Sequence, residues 1–115
     1  KSKKPNLLFG CGDERDKTKR KTMGLIAKYH ASRIYITDDN PRNENPENIR
    51  KSILLHCPNA IEIPNRKTAI KKAIKDLMFN ETLIIAGKGH EKVQIIKNKK
   101  KIFDDYEIAK NTIDK

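Results

Sequence analysis

Tryptophan is absent from this 115-residue sequence, and cysteine appears only twice. Two cysteines, Cys11 and Cys57, exclude a disulfide framework and a four-cysteine zinc site. No apolar stretch approaches the roughly 18–20 residues of a membrane-spanning helix, so an integral helical membrane protein is excluded. Lys1-Ser2-Lys3-Lys4 is followed by Pro5 and a short apolar run, which does not read as a secretory signal. The expectation is a reduced, cytoplasmic protein with no membrane partner. At this length the chain holds one domain around one core.

Acidic residues are scarce beside basic ones. Against 26 Lys and Arg stand 15 Asp and Glu, a formal charge of +11. Such a balance suits phosphate neutralisation by a nucleic-acid binder. Yet no aromatic side chains interleave the lysines, so the stacking platform of a single-strand binder is missing. Lysine, asparagine and isoleucine are abundant together along the whole chain, and many lysines fall on solvated helix faces. Lys97 and Lys99-Lys100-Lys101 around Asn98 read as a charged hairpin tip that discourages edge pairing. The composition favours a solvated basic surface with no specific nucleic-acid partner.

Short branched or aromatic runs alternate with helical patterns. Leu7–Phe9, Ile34–Ile36, Ile61–Ile63 and Leu83–Ile85 read as strands, mostly buried on both faces. Met23, Ile26, Ala27 and His30 follow helical spacing. Asn45-Pro46-Glu47 places a cap ahead of a proline at the first helical position, opening a helix with Ile49, Ile53, Leu54 and Cys57. Asn65 starts a further helix carrying Ile70, Ala73, Ile74, Leu77 and Met78. Val93–Ile96 and Lys101–Phe103 suggest a β-hairpin, and Asp104 or Asp105 caps a last helix with Ile108 and Ala109. This alternation predicts right-handed βαβ crossovers. The fold class is α/β: a doubly wound, mostly parallel, Rossmann-like sheet flanked by helices, with a C-terminal β-hairpin.

Ligands of such sheets bind beyond the carboxyl ends of the strands. Three loops there combine glycine with charge: Gly10-Cys11-Gly12-Asp13-Glu14-Arg15-Asp16-Lys17, Asp38-Asp39-Asn40-Pro41-Arg42 and Gly87-Lys88-Gly89-His90-Glu91. The first is not a phosphate loop, because Cys11 and Asp16 stand where that motif needs glycine. The dinucleotide fingerprint lacks its third glycine, and His90-Glu91 lacks the second histidine of a zincin. Cys11 as a nucleophile would need a histidine base, and a small buried residue at a strand end is its simpler role. Arg15 and Arg42 offer planar forks for carboxylates, and Asp39 and Glu91 offer acceptors for an ammonium group. Together they suit a small zwitterion such as an amino acid. The ordinary alternative is that these residues pair with one another, Arg42 with a surface acid such as Glu44 for example.

At these residues the sequence resembles the C-terminal domain of the Mur ligases. Within that family it is similar to members that add meso-diaminopimelate to UDP-N-acetylmuramoyl-L-alanyl-D-glutamate in peptidoglycan synthesis. The likeness runs from about Leu7 to Ala109. It is carried by Phe9-Gly10-Cys11-Gly12 with Arg15-Asp16-Lys17, by Lys19-Arg20, Met23-Gly24 and Thr37–Arg42, and by Ala86–Glu91, Gln94–Ile96 and Phe103–Asp105. Asp39-Asn40-Pro41-Arg42 matches the family's diaminopimelate-recognition motif. The resemblance implies a site for meso-diaminopimelate formed by Arg15, Asp39, Asn40, Pro41, Arg42, Gly87 and Glu91. It implies an ATP-dependent ligase that uses magnesium to activate the nucleotide-linked carboxyl as an acyl phosphate, which the diaminopimelate amine attacks. This domain would bind and orient the amino acid, and no catalytic or metal-ligating residue is assigned within it.

The sequence departs from the family in places. Gly12-Asp13-Glu14 stands where members usually read Gly-Gly-Asp, and Lys21 replaces a usual proline. The family's domain also begins with a further strand and helix. The resemblance therefore implies that residues 1–115 are the amino-acid-binding domain without that strand and helix. The central ATPase domain, which holds most of the ATP and Mg2+ contacts, and the N-terminal UDP-binding domain would lie outside it, leaving the chain alone inactive. A lysine-adding Mur ligase shares the fold, but Arg42 argues against it because lysine has no distal carboxylate. A small basic nucleic-acid- or nucleotide-binding α/β module is the remaining alternative.

Overall fold

A computed structural model describes residues 4–11, 17–39, 44–86, 93–96 and 99–102. The chain opens with β1 (Asn6–Phe9), α1 (Lys17–His30) and β2 (Ile34–Ile36). It continues with α2 (Pro46–Leu54), β3 (Ile61–Glu62), α3 (Arg66–Lys75) and β4 (Leu83–Ile85). The helix caps predicted at Asn45 and Asn65 form as the sequence requires. Asn45 is extended at φ −66° and ψ 119°, and its side chain accepts the Glu47 N–H at 2.8 Å, with Pro46 in the first turn. Asn65, at φ −73° and ψ 118°, accepts from the Thr68 N–H at 2.9 Å.

The first four strands form one parallel sheet in the order β3-β2-β1-β4. Leu7 stands opposite Ile34 and Phe9 opposite Ile36, while Asn6 and Leu8 face Leu83 and Ile85 on the other side. Strand order thus reverses at β1, the switch point at which α/β sheets open a crevice. One face packs Phe9, Ile34 and Ile36 against Ala27, Ala31, Ile49, Ile53 and Cys57 of the α1–α2 side. The other packs Leu8 and Tyr35 against Ala69, Ile70 and Ala73 of α3. Helices on both faces make the fold doubly wound, as expected. Phe9, Ile53 and Ile70 have no exposed surface, and burial of each such side chain contributes about 1.5–3 kcal/mol.

Gly24 permits close contact between α1 and α2, since a Cβ there would lie 2.9 Å from His56 Cβ and 3.0 Å from the Ile53 carbonyl oxygen. This contact selects the buried stripe of α1. Arg20, Gly24 and Ala27 are buried, whereas Ile26 and His30 of the expected stripe are exposed. Burial of the strands on both faces holds for β1 and β2 but not for the sheet edges, where β3 and β4 are partly open and Ile84 is 46 % exposed. Helix α3 ends at Lys75, ahead of Met78, which is exposed rather than packed.

The expected hairpin is β5 (Val93–Ile96) paired antiparallel with β6 (Lys99–Ile102). Its ladder closes at Ile96 opposite Lys99, so Lys99-Lys100-Lys101 belong to the strand and not to the tip. The helix expected after Asp104 lies outside the described residues. No helix among the described residues is long and apolar enough to cross a membrane.

Candidate functional site

The parallel register brings the carboxyl ends of β1, β2 and β4 to one edge, with β1 between the other two. The Thr37 N–H donates to the Phe9 carbonyl at 3.0 Å on one side, and the Ala86 N–H donates to Leu8 at 2.9 Å on the other. Gly10 follows β1 where no side chain fits: a Cβ there would lie 2.3 Å from the Thr37 carbonyl oxygen and 3.1 Å from the Asp39 nitrogen. The first loop therefore leaves the sheet in direct backbone contact with the second. Cys11 is buried beside it in the core, the packing role expected of it.

Of the residues expected to form the site, Asp39 is described and half-buried at the exit of β2. Arg15, Asn40, Pro41, Arg42, Gly87 and Glu91 lie outside the described residues. The described residues show how the chain entering and leaving the Asp39–Arg42 segment is fixed. Arginine is rarely buried without a partner, and Arg20, Arg50 and Arg66 are the buried arginines among the described residues. All three converge here.

Arg50, from α2, donates to Asp38 Oδ1 at 2.5 Å and to Glu62 Oε2 at 2.7 Å. Burial pushes the Asp38 carboxyl above its ordinary range, while the Arg50 hydrogen bond and charge pull it back. Burial also works against the charge on Arg50, and the hydrogen bonds it donates to Glu62 and Asp38 outweigh that, raising the guanidinium pKa. Arg20, from α1, forks both oxygens of Glu44 at 2.6 and 2.9 Å. Such a bidentate pair fixes orientation as well as distance. Arg66, the first residue of α3, donates to the Asp38 carbonyl at 3.4 Å and to the Ala86 carbonyl at 3.2 Å. The Thr37 hydroxyl and the Asp38 N–H both donate to the Pro64 carbonyl, at 3.0 and 3.2 Å. Asp38 and Glu44 are thus anchored posts on either side of residues 39–43.

The structural roles of Arg50 and Arg66 are not legible in the motifs. Arg66 does carry a local signal, because a cation in the first turn of a helix opposes the helix dipole and needs another reason to be there.

The opposite end of the sheet carries a different network. Arg33 donates to Glu81 Oε1 at 2.6 Å, to the Asp76 carbonyl at 2.7 Å and to the Tyr35 hydroxyl at 3.3 Å. The Tyr35 hydroxyl in turn donates to Asp76 Oδ2 at 2.8 Å. That hydrogen bond leads the causes holding the Asp76 carboxyl below its usual range. The Met78 N–H, followed by Arg33, does the same for Glu81. These groups tie the start of β2, the end of α3 and the chain before β4 together, at the end of the sheet opposite the three loops.

The chain is similar to known proteins over most of its length. A family model described as Mur ligase, glutamate ligase domain, matches residues 1–89. The chain is 56% identical over 100 residues to a UDP-N-acetylmuramoyl-L-alanyl-D-glutamate–2,6-diaminopimelate ligase of Anaplasma marginale, covering 86% of this chain and 21% of that protein. It is 48% identical over 116 residues to the ligase of the same name from Buchnera aphidicola, covering 98% of this chain and 23% of that one. A solved structure of a UDP-N-acetylmuramoyl-L-alanyl-D-glutamate–2,6-diaminopimelate ligase superposes with a TM-score of 0.89 at 35% identity, over 98% of this chain and 24% of that chain. The chain thus spans about a fifth to a quarter of the length of the relatives it matches.

Proposed function

Since the chain belongs to the Mur ligase family, we propose that it is the C-terminal, amino-acid-binding domain of an ATP-dependent ligase. That ligase adds meso-diaminopimelate to UDP-N-acetylmuramoyl-L-alanyl-D-glutamate in the cytoplasm, a step of peptidoglycan synthesis. The observation that carries this reading is the anchored frame around Asp39-Asn40-Pro41-Arg42. Asp38 and Glu44 are held by buried arginines, and the intervening residues are those expected to see the substrate. In this reading Arg15 and Arg42 take the carboxylates of diaminopimelate. Asp39 and Glu91 take its ammonium groups, while Asn40, Pro41 and Gly87 shape the backbone around it.

The contribution of such a domain is orientation. Holding one amine at attack distance from an activated carboxyl converts an encounter in solution into an intramolecular one. ATP and Mg2+ supply that activation in the family. Among the described residues no group of three His, Cys, Asp or Glu is placed to hold a metal ion. The chain corresponds to about a fifth to a quarter of the length of these ligases, and on its own it is expected neither to hydrolyse ATP nor to form the amide bond.

A lysine-adding ligase would share the fold and the ATP requirement. The named relatives add diaminopimelate, and Arg42 supplies a partner for the distal carboxylate that lysine lacks. The test is an NMR titration of the chain with meso-diaminopimelate, with lysine as comparison. Shifts confined to residues 10–17, 38–44 and 86–91 that lysine fails to reproduce support the reading. Shifts elsewhere, or equal responses to both amino acids, refute it.

A further inference from the structure

Arg66 is 1 % exposed, and its planar guanidinium reaches two strand ends that do not touch one another. Its acceptors are the carbonyls of Asp38 beyond β2 and Ala86 beyond β4, and β1 lies between those strands. Asp38 is the last residue before Asp39, and Ala86 the last before Gly87. The placement is unfavourable for Arg66 itself: burial strips its hydration, and the first turn of α3 turns the positive end of the helix dipole toward it. An aliphatic residue would fill the same space without either cost. What the arginine adds is a rigid link, since a guanidinium presents its N–H donors in one plane at fixed separation.

We infer that Arg66 is a positioning residue for amino-acid specificity, one that sets the spacing between the Asp39–Arg42 segment and the Gly87–Glu91 segment. This inference rests on the diaminopimelate reading of those two segments and adds to it a residue that touches no substrate. Diaminopimelate is a long zwitterion with a charged α-carbon group at each end. Its two ends can be held together only if the loops that hold them keep a fixed separation. Arg50 holds Asp38 and Arg20 holds Glu44, the described residues on either side of positions 40–43. Arg66 joins the chain at Asp38 to the chain at Ala86, the points from which the second and third loops continue.

The test is steady-state kinetics of a ligase carrying this domain, with Arg66→Lys, Arg66→Gln, Arg42→Ala and Arg33→Gln measured beside the parent. A misplacement of a binding group by about an ångström costs up to about a hundredfold. Arg66→Gln is therefore expected to raise the KM for meso-diaminopimelate about ten- to a hundredfold, with the KM values for ATP and the nucleotide dipeptide unchanged. Arg66→Lys, which keeps the charge and folds with one donor group in place, is expected to fall between Gln and the parent. Arg33→Gln loosens the opposite end of the sheet and is expected to lower stability while leaving the diaminopimelate KM where it was. Should the Lys and Gln variants show a parental diaminopimelate KM while Arg42→Ala raises it, the positioning role is wrong and the site reading stands. Parallel changes in all three KM values, or an equal effect of Arg33→Gln, reduce Arg66 to a stability role and also overturn the inference. A parental KM in Arg42→Ala instead overturns the site reading itself.

Discussion

Glu44 gives both of its carboxylate oxygens to one guanidinium, that of Arg20, at 2.6 and 2.9 Å. The pair joins α1 to the chain just beyond Arg42, and the Arg20 side chain is only 3 % exposed. Removing one member of a buried ion pair costs about 3–5 kcal/mol, and Glu44 keeps some contact with water. Glu44→Ala is therefore expected to destabilise the chain by about 3 kcal/mol, read as a lowered urea midpoint with an unchanged slope. A loss under about 1 kcal/mol would show the pair behaving as a surface contact.

Gly10 tests the contact between the first two loops. A methyl group there meets the Thr37 carbonyl oxygen at 2.3 Å, and backbone cannot swing aside as a flexible side chain can. Gly10→Ala is expected to cost about 1–3 kcal/mol, as overpacking does elsewhere. Amide shift changes should centre on Thr37, Asp38 and Asp39. A variant as stable as the parent, with those amides unmoved, would show that the ends of β1 and β2 have room to separate.

Acid stability should depend on the network at the other end of the sheet. The Met78 N–H and Arg33 hold Glu81 below its ordinary value of 4.5, and the Tyr35 hydroxyl leads the causes holding Asp76 below 3.8. A depressed carboxylate contributes stability that is complete above its unfolded pKa and is lost as pH falls through the folded one. Asp38 runs the other way. Its pKa is raised by burial, so its contribution falls as pH rises from about 3.8 through the folded value. Glu81→Gln is expected to flatten the loss of stability on acidification below pH 4.5, measured as urea midpoints across that range. A variant that loses stability as steeply as the parent would remove Glu81 from the cause.

Strands, helix starts and the order of elements were legible because each depends on local chemistry. Asn45-Pro46 and Asn65 cap helices through their own side chains, and Leu7–Phe9 or Ile34–Ile36 are branched runs bounded by turns. The charge carried by the three loops was legible for the same reason. The arginines that hold those loops were not. Arg50 and Arg66 are two among 26 basic residues, and only pairings across 12 to 28 positions distinguish them from solvated ones. The buried stripe of α1 was read only in part, because Gly24 lets α2 approach closely and the buried face runs through Arg20, Gly24 and Ala27, leaving Ile26 outward. Exposure of Ile84 followed from strand order, which hydrophobicity along the chain does not encode.

The most direct measurement is the meso-diaminopimelate requirement of a ligase carrying this domain with Arg42→Ala. Diaminopimelate exceeds lysine by one carboxylate, and the planar guanidinium fork of an arginine is suited to it. Losing a charge-assisted hydrogen bond costs about 1.5–3 kcal/mol, or roughly ten- to a hundredfold in affinity. The KM for meso-diaminopimelate should rise by that factor, and those for ATP and the nucleotide dipeptide should stay as they were. Arg42→Lys should recover only part of the loss, because a point charge does not reproduce the fork. An Arg42→Ala ligase that uses meso-diaminopimelate as well as its parent would contradict the account.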